Sequence, residues 1–158
     1  MLGFLHRQKQ TPRQDTLQRL ALFSTLSRPE LQVVDALLHE RRFLKGEIIF
    51  DQGEEGQALH AVITGRVLIC RQGEPETGKI TEVDAGDVFG ELALLDNIPR
   101  ALQARAADDC VLASMSRGDL ESLLDTHAVI ASKILLQLAR HLGRELTNLA
   151  SVVERNRL

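Results

Sequence analysis

The chain has 158 residues, 44% hydrophobic and 26% charged, with a net charge of −3, which suits one soluble globular domain. Five Phe with no Trp or Tyr exclude a stacking platform for single-stranded nucleic acid, and the acidic balance offers phosphate backbones no general attraction. No apolar run reaches bilayer-spanning length, and "MLGFLHRQKQ" has too short an apolar segment, on the wrong side of its charges, for a secretory signal. The chain therefore reads as cytoplasmic, free of membrane and, by itself, of nucleic acid.

In chain order, residues 1–15 read as a flexible arm that leans basic, with Arg7, Lys9 and Arg13 (and Arg19 just beyond) against Asp15. "TLQRLALFSTLSRPELQVVDALLHE" spaces Leu17, Leu20 and Ala21, then Leu31, Val34, Leu37 and Leu38, as two short helices ending near His39. Ser27 caps the second, Pro29 fits its first turn, and Glu30 meets the positive end of its dipole.

From Arg41 to Met115 the chain breaks into short β-type runs: "RRFL", "IIF", "LHAVIT", "RVLICR", "KITEV", "ALQARAA" and "CVLASM". Glycines punctuate them, and many short strands at regular spacing predict a sandwich or barrel rather than a β-α-β fold. Cys70 and Cys110 lie in apolar surroundings, in no CxxC or Cys/His cluster, and read as buried, reduced thiols rather than metal ligands.

"SRGDLESLLD" then predicts a short helix, and the stretch from His127 to the end a long one. On the long helix Leu135, Leu142 and Leu149 repeat every seven residues, with Leu138 and Val152 on the same stripe. That stripe predicts a homodimer seam, with Glu145 as a charge in one of its core positions.

Between strands lies "FGELALLDNIPRALQARA", residues 89 to 106. Gly90 opens a short helical turn whose first N–H groups lack intrahelical acceptors. Glu91 can accept from two hydroxyls, such as those of a ribose. Pro99 stiffens the chain before Arg100, whose planar guanidinium suits a bidentate grip on phosphate. The same residues admit a plainer reading: Glu91 serves the turn's dipole, and Arg100 pairs with Glu91, Asp87 or Asp96 on the surface.

Over roughly residues 17 to 150 the chain resembles the cyclic nucleotide-binding domain of the Crp/Fnr-like kind. This domain is shared by catabolite activator proteins, protein-kinase regulatory subunits and cyclic nucleotide-gated channels. "LFSTLSRPELQVV" is similar to the family's entry helices, "FLKGEIIFDQGEEGQALHAVITGRV" to its first hairpins, and "FGELALL…PRA" to its phosphate-binding cassette.

The resemblance implies an α+β fold: a jelly-roll β-barrel (β-roll) with N-terminal helices, a short cassette helix and a long C-terminal helix. Residues 16–126 would form the β-roll with its entry helices, and 127–158 the dimerisation and lid helix. By position, Glu91 would bind the ribose 2′-hydroxyl and Arg100 the cyclic phosphate. Backbone amides near Gly90, Leu92, Ala93 and Ala101 would complete the anion cradle, and Ile69, Ile80, Thr81 and Val83 would line the base pocket. Glu145 falls where relatives place a small polar residue over the purine. It would accept from an adenine amino group or repel a partner helix across the seam.

Some cGMP-preferring relatives carry threonine directly after the arginine, where this chain has Ala101, so cyclic AMP is the expected ligand, with cGMP and cyclic di-GMP as alternatives. After "PRA" many relatives have alanine and then threonine or serine; this chain has Leu102 and Gln103. Leu102 either narrows the pocket or packs into the core, which leaves open an assembly module whose pocket binds nothing. No helix-turn-helix pair follows the long helix. The expectation is a sensor signalling through a protein partner, with a sensor fused to an output domain as the alternative. Catalysis is not expected, nor is a cofactor: related metal-dependent β-rolls need clustered histidines, and His6, His39, His60, His127 and His141 are scattered with no HxH.

Overall fold

The computed structural model describes residues 9–157. Helix α1 (Pro12–Arg19) starts where Thr11 and Gln14 cap each other reciprocally and Pro12 occupies the first turn. Arg13 lies 2.7 Å from Asp35 of α2 (Arg28–Leu37), tying the two helices together. Residues 12–15 therefore belong to the helical layer and not to an arm, while residues 1–8 of that expected arm lie outside the described residues. Ser27 caps α2 as the sequence predicts, and Glu30, expected to serve the dipole alone, also accepts from the Ser27 N–H and closes a capping box. The helix stops at Leu37 because His39 already opens strand β1 (His39–Phe43), opposite Ser114.

Seven further strands follow: β2 (Ile48–Phe50), β3 (Ala58–Thr64), β4 (Arg66–Cys70), β5 (Lys79–Asp84), β6 (Val88–Phe89), β7 (Gln103–Ala106) and β8 (Cys110–Ser116). They form two four-stranded antiparallel sheets, ordered β1-β8-β3-β6 and β2-β7-β4-β5. This is the expected β-roll. Between the sheets lie Ile49, Val62, Val67, Phe89, Ala104 and Leu112. The other face of β3 and β8 presents Leu59, Ala61, Ala113 and Met115 to the helices, so these two strands are buried on both sides. Cys70 and Cys110 are buried and free, and burial raises both thiol pKa values.

Helix α3 (Arg117–Thr126) leads into α4 (Ala128–Arg155), whose Ile130, Ile134 and Leu138 repeat every four residues against the helical core. That packing corrects the expected dimer seam. Leu138 is 1% exposed and occupied by its own domain, and Leu135 and Leu142 are partly covered in the same way. The apolar line left open is Leu146, Leu149 and Val153, at 67%, 61% and 47% exposure, with Val152 open beside it at 48%, so Leu149 and Val152 of the expected stripe stay free. Glu145 is not on that line but turned toward the β-roll. No helix among the described residues is long and apolar enough to cross a membrane, and no group of His, Cys, Asp or Glu among them is arranged to hold a metal.

Candidate functional site

Between the second sheet, the turn after β6 and the underside of α4 lies a cleft of about 580 Å³. Its rim is built by glycine. Gly90 has φ of 71°, the left-handed region, and turns the chain from β6 into the 3-10 turn Glu91–Leu94. A Cβ at Gly90 would sit 2.6 Å from Nη1 of Arg100, so only glycine lets the guanidinium approach this backbone. Across the cleft rim, Arg100 donates its N–H to Glu54 O at 2.7 Å and accepts from Gly53 N–H at 2.8 Å. Pro99 bridges to Glu55 alongside. The loop between β2 and β3 thus fixes the backbone of Arg100 on both sides.

The Arg100 side chain reaches inward. Its Nη2 donates to Ala58 O at 2.7 Å and its Nη1 to Gly90 O at 3.2 Å, while Cζ lies 4.1 Å from the ring centre of Phe50. Burial lowers the guanidinium pKa, against the opposing fields of Glu54 and Glu91. Among the described residues no carboxylate comes within ion-pair distance of it. The plain surface pairing with Glu91, Asp87 or Asp96 is therefore not what the structure contains. The guanidinium is thus a half-buried cation whose side-chain partners are neutral carbonyls and a π face.

Glu91 is one-fifth exposed at the opposite side of the turn, and one of its carboxylate oxygens lies 3.1 Å from Nε2 of His141 on α4. Ile69, Thr81, Val83, Gly90, Glu91, Leu92, Ala93, Arg100, Ala101 and Glu145, all named from the sequence, border this one cleft. Ile80 does not. Thr81 pairs with Ile69 and Val83 with Val67, so alternation sends Ile80 to the other face, 55% exposed. Leu102 borders the cleft without filling it. Gln103 is 1% exposed and points away, donating to Asp51 and accepting from Arg105 Nε at 2.6 Å. It is a satisfied polar core residue and takes no space from the site.

Several residues bordering the site went unpredicted, His141 and Phe50 among them. His141 stands four positions before Glu145, one turn along the same helix face, and that spacing was a usable signal. Phe50 had no such signal, because a register irregularity between Ile48 and Phe50 decides where its ring points.

Residues 40–127 match the family model described as the cyclic nucleotide-binding domain. The chain belongs to the cyclic nucleotide-binding domain family. It is 29% identical over 140 residues to a "CRP-like cAMP-activated global transcriptional regulator" of Mycobacterium tuberculosis, covering 88% of this chain and 62% of that protein. To the "Cyclic AMP receptor protein" of Thermus thermophilus it is 32% identical over 143 residues, covering 87% of this chain and 65% of that one. The chain thus spans less than two thirds of the length of these relatives. Among solved structures, the N-terminal domain of a transcriptional regulator from Streptomyces coelicolor superposes with a TM-score of 0.74 at 27% identity. That superposition covers 83% of this domain and 94% of the other. The turn from Gly90 to Arg100 lies inside the matched span, while Leu20, Ala21, Leu22, His141 and Glu145, which also border the cleft, lie outside it.

Proposed function

We propose that this cyclic nucleotide-binding domain is a non-catalytic sensor of cyclic AMP that passes ligand occupancy to α4. The observation that carries the reading is Arg100: a half-buried guanidinium without a carboxylate partner among the described residues, opening on a cleft of about 580 Å³ with Glu91 on its rim. That volume is within the usual range for small-molecule sites, about 300 to 1,000 Å³.

A cyclic phosphate offers Arg100 charged oxygens in exchange for two neutral carbonyls, a stronger partner in a site partly shielded from water. The free N–H groups opening the turn at Glu91 and Leu92 add neutral donors. Glu91 accepts the ribose 2′-hydroxyl on a carboxylate oxygen, and the ligand competes with His141 or shares the carboxylate with it. Either arrangement changes the polar contact that α4 makes with the turn, so occupancy biases the position of α4. Cyclic AMP is favoured over cGMP by the cAMP-linked names of the two bacterial relatives and by Ala101, which has no hydroxyl to offer a guanine amino group. The signal then passes to a protein partner or an output domain.

Arg100→Ala is the deciding variant. Removing a buried charge-assisted partner costs about 2 to 5 kcal/mol, so calorimetry should show cAMP binding weakened at least about thirtyfold. In wild type, cAMP at 100 times its dissociation constant should add about 2.7 kcal/mol of stability. An Arg100→Ala protein binding cAMP within threefold of wild type would overturn the reading. So would a wild-type melting curve that cAMP does not move.

A further inference from the structure

Under the guanidinium of Arg100 lies a feature that the cyclic nucleotide reading does not use. The rings of Phe50, His60 and Phe89 pack as a cluster, with centroids 6.0, 5.9 and 5.1 Å apart. The backbone dictates the cluster. Antiparallel register sets His60 of β3 opposite Phe89 of β6 and, on its other side, opposite Ser114 of β8. His60 Nδ1 lies 2.6 Å from Ser114 Oγ, which holds the imidazole in place, and the residue is 3% exposed. The irregularity in β2 leaves Ile49 in the core and sends Phe50 to the cleft, which its ring helps to line. Bulges that redirect one side chain are typical of strand ends beside binding sites.

We propose that Phe50, backed by His60 and Phe89, is a positioning residue: its ring face holds the Arg100 guanidinium in place without neutralising it, so the full positive charge is directed at a bound anion. The alternative holder, a carboxylate, would fix the side chain equally well. It would also compete with the ligand's phosphate for the same charge. A π face attracts a cation through its quadrupole and carries no net charge, so it does not compete. The backing residue has to be neutral for this to work. Burial and the charges of Arg100 and Arg41 lower the His60 pKa to about 3, so the imidazole adds no repulsion near neutral pH. The two remaining holds on Arg100, Ala58 O and Gly90 O, are neutral as well. This inference rests on the cyclic nucleotide reading for the identity of the anion, but not for the geometry of the platform.

The test uses Phe50→Leu, which keeps apolar volume and removes the ring, and Phe50→Tyr, which keeps the ring. In the ligand-free protein, the Arg100 Nε–Hε signal in nitrogen-15 NMR should carry an upfield ring-current shift and slowed solvent exchange. Phe50→Leu should lose both, and Phe50→Tyr should retain them. In calorimetry with cAMP, Phe50→Leu should bind about five- to tenfold more weakly, a loss in the range of a partly desolvated cation–π contact, and Phe50→Tyr within about twofold of wild type. An Arg100 signal unchanged by Phe50→Leu overturns the proposal, whatever the ligand does. So does a shifted signal with cAMP affinity unaltered in a wild type that binds. If wild type fails to bind cAMP, the function proposed above falls, and the platform stands or falls on the ligand-free Arg100 signal alone.

Discussion

His60 carries a cost that pH exposes. Its pKa falls from 6.5 to about 3, first because burial penalises the imidazolium and then because Arg100 and Arg41 repel it. Between those values the unfolded chain binds a proton that the folded one refuses. Stability therefore rises with pH through this window, is fully present above about 6.5, and declines by up to about 1.4 kcal/mol per pH unit below it. From pH 7 to 5 the loss from this one residue is about 2 kcal/mol. Urea titrations at the two pH values should show it, and His60→Gln, whose amide can still meet Ser114, should show that much less dependence. An identical slope in the variant would mean that other groups set the acid sensitivity. Below about pH 4.5 a second contribution begins. The Lys133 ammonium, 2.7 Å from Glu30, and the Ser27 N–H together hold that carboxyl at about 2, so the tie between α2 and α4 weakens as pH falls toward 2.

The elements were legible in the sequence because their signals are local: helical spacing in α1 to α4, capping residues at Ser27, and glycines between strands. The pair Glu91 and Arg100 was legible for the same reason, standing on either side of one turn. What escaped was decided by competition between faces. The seven-residue stripe of α4 was visible, but whether its Leu138 faces the protein's own core or a second copy depends on where the β-roll sits. The core takes Leu138 and Ile134 and partly covers Leu142, leaving Val152 open and shifting the free stripe to Leu146, Leu149 and Val153. These occupy alternating a and d positions of a heptad, and none is charged. Ile80 was misplaced by a single step of strand alternation, and Phe50 was hidden by an irregular register. The corrected stripe makes its own prediction. If α4 forms the homodimer, Leu146→Glu with Leu149→Glu should yield monomers by sedimentation at concentrations where wild type is dimeric. Glu145→Leu should leave the dimer dissociation constant unchanged. A dimer tightened by Glu145→Leu would restore the original seam, and a leucine pair that leaves the dimer intact would exclude α4 as the contact.

At the scale of the whole molecule, α4 runs from the helical core past the cleft to an exposed apolar line. Its first half is core through Ile130, Ile134 and Leu138, and Lys133 ties it to α2. His141 then contacts Glu91, Glu145 borders the cleft, and every described residue beyond Leu142 is exposed. Gly143 stands at that boundary, a weak helix former between the docked half and the free half. If the docked half senses ligand through His141 and the free half holds a second copy, one helix carries both equilibria, and coupling between them is the expected outcome. Coupling of this kind is reciprocal, typically about 5- to 150-fold. With one cAMP site per protomer, the factor by which saturating cAMP changes the dimer dissociation constant must equal the square of the factor by which dimerisation changes cAMP affinity per site. Sedimentation of wild type with and without cAMP supplies the first, and calorimetry on wild type against the Leu146→Glu, Leu149→Glu monomer supplies the second. Factors well above one that obey this square relation place the signal in α4. Two factors of one, with cAMP still bound, would mean that α4 does not couple ligand binding to dimerisation, and that the output leaves through another surface of the β-roll.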